Sequence, residues 1–413
     1  MEIIADLHIH GPYAQACSRN TTLANLEENA RIKGLSVLGT GDCLHPKWFQ
    51  SITTELTEDE NGILWSKNRF PFIWQTEICL MYTHNGKGRR VHYVILMPNK
   101  DVVAQIIESF LKKGRLDYDG RPIFGMSSID LVEMMRSISG DIEIIPAHAW
   151  TSWMSIFGSK SGYNSVEECF EEKAKYIHAI ETGLSSDPLM NRRVSGLDKY
   201  NLVSFSDPHS YHPWRLGREA TIFDFKSLDY KSILNAIRTG NGLRGTIEVN
   251  PEYGKYHLDG HRACNVVMNY AESKKLNGIC PKCKTPLTLG VEYRVEQLAD
   301  REKAINVPYF RNAIPLTELI SALYNIKQLG SSKVMQTYNL LIKNFGNEYN
   351  VLLDAPLDKL NKIADKKLAE TIMMNRENTL RIKPGYDGVY GQVLLNENLT
   401  KKGQVSLTDY QPI

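Results

Sequence analysis

No apolar run in this chain approaches the length needed to cross a bilayer as a helix, which excludes a helical membrane protein. Neither sign of charge dominates: 49 Lys and Arg stand against 47 Asp and Glu, a formal net charge of +2. Whole-molecule charge therefore announces no polyanion partner, and any site for one has to be local. A disulfide framework is missing as well. The seven cysteines are odd in number and unevenly spread, with Cys17, Cys43, Cys79 and Cys169 scattered and Cys264, Cys280 and Cys283 gathered late. Such spacing fits a reducing compartment. Met1-Glu2 leads straight into an apolar run, without the basic-then-apolar layout of an export signal, so a cytoplasmic location is expected. Internal repeats and low-complexity tracts are absent too.

What remains is the makeup of a folded protein, 42% hydrophobic and 23% charged over 413 residues. That length exceeds one ordinary core, so two or three domains are expected. Over 1–250, strand-like runs at 3–10, 36–42, 72–82, 91–97, 142–148, 177–182, 202–207 and 220–225 alternate with helical runs. The helical runs lie at 23–33, 102–113, 129–138, 166–175 and 230–238. This alternation predicts parallel strands in an α/β fold. Nearly every strand carries or ends in a potential metal ligand: His8 and His10, Asp42, Glu77, His92, His148, Glu181, and Asp207 with His209. Site residues spread over many strand ends favour a closed barrel, because an open sheet concentrates them at one switch point. The texture changes after Asn250-Pro251. Residues 251–300 hold the late cysteines and read as a small zinc-binding domain. Residues 301–413 are helix-rich, with helices predicted at 316–328, 333–345, 357–362 and 366–376 and a last strand at 392–395.

The first strand ends in Asp6-Leu7-His8-Ile9-His10. Alternation along a strand puts His8, His10 and Asp6 on one face. Two imidazoles so placed grip a divalent metal, or else they are a hydrogen-bonded pair in the core. Glu77 stands in the otherwise apolar, aromatic stretch Phe72-Ile73-Trp74-Gln75-Thr76-Glu77-Ile78. A lone buried carboxylate is costly, so Glu77 either bridges metals or pairs with Arg89 or Arg90. Two or three adjacent ions are what phosphoester hydrolysis requires, since they activate water and clamp the phosphoryl oxygens. Mixed imidazole and carboxylate ligands suit Zn, Mn or Fe better than Mg.

Cys280-Pro281-Lys282-Cys283, with His261 and Cys264 upstream, has the spacing of a structural zinc site. His257 or Asp259 is an alternative to His261, and a redox CxxC is the rival reading, without the βαβ context it needs. So short a segment buries little, and the zinc would stand in for a core. Lys87, Arg89 and Arg90, on a glycine-loosened loop, suit phosphate contact, or the loop is a plain exposed hairpin. Trp150 and Trp153 follow His148 closely, placed to stack on a base or to pack at the barrel mouth.

Asp6-Leu-His-Ile-His10, Thr40-Gly-Asp42, Glu77, His92, Pro146-Ala-His148 and Ser206-Asp-Pro-His209 resemble, in order, the motifs of the PHP (polymerase and histidinol phosphatase) superfamily. The resemblance implies a distorted (β/α)7 barrel holding two to three divalent metals (Zn, Mn, Fe or Mg). His8, His10, Glu77 and Asp207 would hold one, and Glu77, His92 and His148 the second. At the third site the superfamily's usual ligands are replaced by Cys43 and by residues 15–17, which leaves His209 with Asp42, His45 or a cysteine.

Longer strings resemble one PHP family, endonuclease Q, over nearly the whole chain: Gly39-Thr-Gly-Asp-Cys-Leu-His-Pro-Lys-Trp48, His84-Asn-Gly-Lys-Gly-Arg-Arg-Val-His92, His148-Ala-Trp-Thr-Ser-Trp153, Tyr256-His-Leu-Asp-Gly-His-Arg262, Arg294-Val-Glu-Gln-Leu-Ala-Asp300 and Pro384-Gly-Tyr-Asp-Gly388. That resemblance implies a DNA repair endonuclease cutting 5′ to deaminated bases (uracil, hypoxanthine, xanthine) and abasic sites, with the lesion nucleotide flipped out. Asp207, His10, Glu77 and His148 would carry the chemistry beside one structural zinc. DNA is then the partner, with no membrane, and a monomer is expected. The C-terminal Asp409-Tyr-Gln-Pro-Ile413 gives no support for a sliding-clamp contact. The alternatives are another PHP phosphoesterase (a DNA exonuclease or a small-molecule phosphatase) or a non-catalytic DNA-binding protein with a relict barrel.

Overall fold

In the computed structural model, which describes residues 1–395, the strands of the first 250 residues begin near their predicted starts and most stop early. The strand Glu2–Asp6 ends before His8, Val37–Gly39 before Asp42, Glu143–Pro146 before His148 and Asn201–Val203 before Asp207. The chemistry-bearing residues therefore sit on the short segments that leave the strand ends. Glu77, His92 and Glu181 lie within strands, in Gln75–His84, Lys87–Leu96 and Ala179–Glu181. The stretch 409–413 lies outside the described residues.

The fold is mixed α/β, and the all-parallel expectation does not hold. Glu2–Asp6 pairs parallel with Val37–Gly39 but antiparallel with Ala220–Asp224. Gln75–His84 and Lys87–Leu96 form a ten-residue antiparallel hairpin closed by Asn85 and Gly86, both with positive φ (51° and 72°). A two-residue turn of this kind matches strand twist and excludes a parallel crossover. Nor do the strands close into a continuous ladder. They fall into an eight-stranded sheet, a four-stranded sheet (Ile123–Phe124, Gln75–His84, Lys87–Leu96, Glu143–Pro146) and smaller pairs, among them parallel Ala179–Glu181 and Asn201–Val203. Single bonds cross the gaps: Ala149 N–H donates to the Glu181 carbonyl (2.9 Å), and Asp207 N–H to that of His8 (3.0 Å). Ring closure is interrupted where the loops bearing His148 and Asp207 turn inward.

Local signals explain the helices. Leu23–Lys33 starts at Thr22, whose hydroxyl accepts from Asn25 N–H (3.1 Å), and stops at Gly34, at φ 101°. The helix expected over 166–175 breaks at Glu171 (φ 50°) into Val166–Phe170 and a 3₁₀ turn, Glu171–Tyr176. Helices Leu316–Tyr324, Ser332–Phe345, Leu357–Ile363 and Lys366–Arg376 follow later in the chain. Phe310–Asn312, too short to read in the sequence, adds to the main sheet beside Leu243–Glu248. One apolar core runs from Ile9 and Leu38 through Val291 and Val295 to Leu319 and Ile372. A buried Lys33–Glu348 ion pair (2.8 Å) ties the first helix to the C-terminal helices. The segment carrying the late cysteines has only Val266, Cys280 and Leu287 as its own cluster. Among the described residues, no helix is long and apolar enough to cross a membrane.

Candidate metal centre

Two groups of ligand atoms converge on one carboxylate. His8, His10, Glu77 and Asp207 form the first, and Glu77, His92 and His148 the second, each with its ligand atoms within 4.8 Å of one another. The Glu77 Oε1 lies 2.7 Å from His92 Nδ1, 3.3 Å from His148 Nε2 and 3.6 Å from His8 Nε2. Its Oε2 lies 3.2 Å from His10 Nε2. Glu77 is fully buried and shared by both groups, as a bridging ligand must be. Its sequence alternative, a pair with Arg89 or Arg90, is not formed: Arg89 pairs with Glu168 (3.1 Å).

Three of the four histidine rings are held from behind. His8 Nδ1–H donates to Glu181 (2.9 Å), leaving Nε2 buried with no hydrogen-bond partner among the described residues. His10 Nδ1–H donates to Asp42 (3.0 Å), aiming Nε2 at Asp207 (3.0 Å). The His148 Nδ1 sits by the hydroxyls of Thr151 (3.1 Å) and Ser155 (3.0 Å). A carboxylate or hydroxyl behind a ring fixes its tautomer and directs the other lone pair forward, which is how metal-ligating histidines are oriented. The buried, unpartnered Nε2 of His8 and this donor set fit divalent ions of the Zn or Mn class.

Charge gives the same answer. Burial would lower the His8 and His10 pKa values, yet the carboxylates around them hold both well above the ordinary value. Burial would raise Glu77, yet His92, Arg121 and His8 hold it well below the carboxylate range. Glu77, Asp207, Asp42 and Glu181 thus make a negative pocket that favours cations. The backbone is strained there too. Asp42 (φ 40°), His148 (φ 31°) and Asp207 (φ 43°) all adopt the left-handed region that non-glycine residues avoid, at roughly 1 kcal/mol or more each.

Several sequence expectations change. Asp6 does not face the metal ligands; it accepts from Ser206 N–H (3.0 Å) and Gly217 N–H (3.0 Å) and so anchors the segment carrying Asp207. Among the described residues no third ligand group forms beside these two at the Glu77 centre. The Asp42 carboxylate is spent on His10 and on Gly11 N–H (2.7 Å), His45 stacks on Tyr13, and Cys43 is buried with its thiol pushed up. His209 flanks the first group, its ring 4.6 Å from that of His10 and its Nδ1 3.8 Å from Asp207. Sequence reasoning missed Arg121, whose guanidinium donates to Glu77 Oε2 (3.1 Å). Gly120 makes that approach possible, since a Cβ there would meet the Asp42 carboxylate at 2.6 Å. Glycine before a lone arginine was the available signal.

The nucleic-acid candidates divide. Trp150 is buried, its ring N–H donating to Asn191 (2.7 Å), and Arg89 is buried over the Tyr163 ring (3.8 Å) while also donating to the Gly162 carbonyl. Both belong to the packing, corrections to the reading that they face DNA. Trp153 is exposed at a cavity of about 490 Å³ that His92, His148, Arg121 and Asp207 also line, and Lys87 and Arg90 are exposed on the hairpin.

Far along the chain His261, Cys264, Cys280 and Cys283 form a separate group of four ligands. Hydrogen bonds from Thr285 bring the Cys283 thiol down to about 6, toward the thiolate a metal binds. Asp259 is buried and accepts from Gly290 N–H, apart from that group.

Comparisons with known proteins agree with this architecture. The fold matches the crystal structure of the lesion-specific endonuclease PfuEndoQ from Pyrococcus furiosus, at 30% identity and TM-score 0.86 over all of both chains. It matches an Endonuclease Q complex with a 27-mer duplex carrying an abasic lesion at its active site, at 31% identity and TM-score 0.86, over 95% of this chain and 96% of that one. Residues 315–379 match the family model described as the MJ0043 C-terminal domain. The uncharacterized Methanocaldococcus jannaschii protein MJ0043 is 32% identical over 72% of this chain, which spans 38% of that protein's length. End-to-end agreement in sequence and fold places the chain in the endonuclease Q family, an enzyme family of metal-dependent endonucleases.

Proposed function

We propose that this protein is a DNA repair endonuclease that hydrolyses the phosphodiester bond 5′ to deaminated bases (uracil, hypoxanthine, xanthine) and abasic sites. The observation that carries this reading is the pair of histidine–carboxylate groups sharing Glu77 beside the 490 Å³ cavity. The reading also rests on the likeness to an endonuclease holding an abasic duplex. When bound, two adjacent divalent ions supply an activated water and a counter-charge for the phosphoryl oxygens.

The chain's own residues do the rest. His8, His10 and Asp207 would hold one ion and His92 and His148 the other, with Glu77 common to both sets. Asp42 and Glu181 keep His10 and His8 in the tautomer that presents Nε2. Arg121 adds a fixed positive charge on the cavity side of Glu77, where negative charge grows on the reacting phosphate. His209 flanks Asp207 as a ligand for any third ion. A cavity of this size accepts one flipped nucleotide, with Trp153 at its edge to stack on a base. Lys87 and Arg90 follow the backbone from the hairpin. Residues 251–300 are then a zinc-stapled module and 301–413 a duplex-binding region, helix-rich over its described residues, in a cytoplasmic monomer.

The test is a duplex with one internal deoxyuridine or deoxyinosine, labelled at the 5′ end. A single nick 5′ to the lesion supports the proposal; mononucleotide release or an intact strand contradicts it.

A further inference from the structure

The cavity has a second, cationic corner that the metal chemistry does not use. Arg218 lies there, 8% exposed, its Nε–H donating to the carbonyl of Ser206 (3.1 Å), the residue before Asp207. Its positive charge also acts on the Tyr390 hydroxyl, which lines the same cavity. Lys255 extends over the Tyr390 ring, its Nζ 5.9 Å from the centroid. Arg215 approaches the same ring (5.8 Å) but is neutralised by Glu318 at 2.8 Å. Among the described residues no carboxylate lies within 4 Å of Arg218 or Lys255, and Asp207 and Glu219 act on Arg218 only from farther off. Arg218, Lys255 and Tyr390 come from three separate stretches of the chain and line the same cavity as Asp207 and His148.

A buried guanidinium without a counter-ion is costly, and one that faces a cavity is satisfied by an anion entering it. The donors match phosphate: a planar fork, a point ammonium and a hydroxyl line one cavity. The local potential is positive enough that, although burial would raise the Tyr390 hydroxyl, Arg218, Lys255 and Arg215 hold it below its ordinary value.

We propose that Arg218, Lys255 and Tyr390 form a phosphate subsite that grips the backbone phosphate next to the scissile one on the cut strand. The proposal rests on the endonuclease reading. By fixing a phosphate beside the metal centre, the subsite sets which phosphodiester enters it.

The experiment measures binding of full-length protein to lesion duplexes in which phosphates flanking the cut are replaced, one at a time, by neutral methylphosphonates. Wild type should lose about tenfold in affinity at one internal position, the worth of a charge-assisted contact. Lys255→Ala and Tyr390→Phe should bind the unmodified duplex more weakly and lose most of that position-specific sensitivity, and Lys255→Arg should restore it. Equal methylphosphonate profiles for wild type and Lys255→Ala would overturn the subsite. Loss of competition by inorganic phosphate in Lys255→Ala, with no internal position affected, would point to a free or terminal phosphate and overturn the strand assignment. These profiles read binding, whereas failure of wild type to nick a lesion duplex is a separate result that removes the endonuclease reading itself.

Discussion

The two metal-ligand regions of this molecule are built on opposite plans. The Glu77 centre assembles residues as far apart as His10 and Asp207, 197 positions distant, on loops that leave buried strands. Its histidines are backed by Glu181, Asp42, Thr151 and Ser155, and a continuous core lies beneath them. The cysteine centre closes a loop between His261 and Cys283, only 22 positions apart, over three buried residues. In the first region the fold makes the site, at the expense of three strained residues. In the second the site substitutes for a core. The difference teaches that metal loss should disarm the first region and unfold the second.

The largest effect should come from Glu77→Gln, which keeps the shape but removes the shared charge. Cleavage should fall on the order of a thousandfold or more, while circular dichroism and the melting transition stay close to wild type. Unfolding of this variant would break the comparison. Next is Glu181→Gln, which leaves every ligand in place and alters only the group behind His8. Metal affinity of this centre should drop by roughly 10- to 100-fold, measured by competition with a chelating dye, and the cysteine centre should not respond.

For the second region, Cys280→Ser/Cys283→Ser should weaken duplex binding by about five- to tenfold, the share of one small basic module. Amide exchange should accelerate over 259–289 and remain slow in the strands under the Glu77 centre. Uniform acceleration would show that the two regions unfold together.

The smallest effect concerns pH. Beneath the first region Glu248 and Glu219 are buried together near Asp187, and burial raises both carboxyls above their ordinary 4.5. A raised carboxyl contributes stability in acid that is lost as pH rises toward its folded value. Glu248→Gln should therefore melt higher than wild type above neutral pH, with the advantage shrinking toward mild acid. An advantage that grows in acid instead would contradict the assignment. The cysteine region carries a weaker pair of its own, Asp259 and Glu292, raised by burial to about 6 and about 7, so Glu292→Gln should give a smaller change of the same sign.

Legibility in the sequence divides along the same line. His8, His10, Glu77 and His148 stand out because each interrupts an apolar run, and that contrast is local. Cys280 and Cys283 are legible for the same reason, since their spacing is the signal. What the sequence hides is which atom faces which. Asp42 reads as a ligand at a strand end, but only the folded chain turns its carboxylate onto His10. Trp150 beside His148 reads either as a base-stacking ring or as packing at the barrel mouth, and only the fold decides: Asn191, 41 positions on, satisfies its ring N–H in the core. Arg121 reaches Glu77 across 44 positions from an irregular segment with no periodicity. The antiparallel hairpin is the reverse case: Asn85-Gly86 between apolar runs is a strong turn signal, legible as the hairpin alternative for this loop even though the strand–helix alternation suggests parallel strands.

Counting metal ions tests the central claim most directly. Native mass spectrometry of zinc- or manganese-loaded wild type, Glu77→Gln and Cys280→Ser/Cys283→Ser, prepared side by side, reads both regions at once. Two groups sharing Glu77 and one cysteine group predict three ions for wild type, one for Glu77→Gln and two for the cysteine variant. A Glu77→Gln protein that still carries three ions would contradict the shared-carboxylate centre on which the account stands.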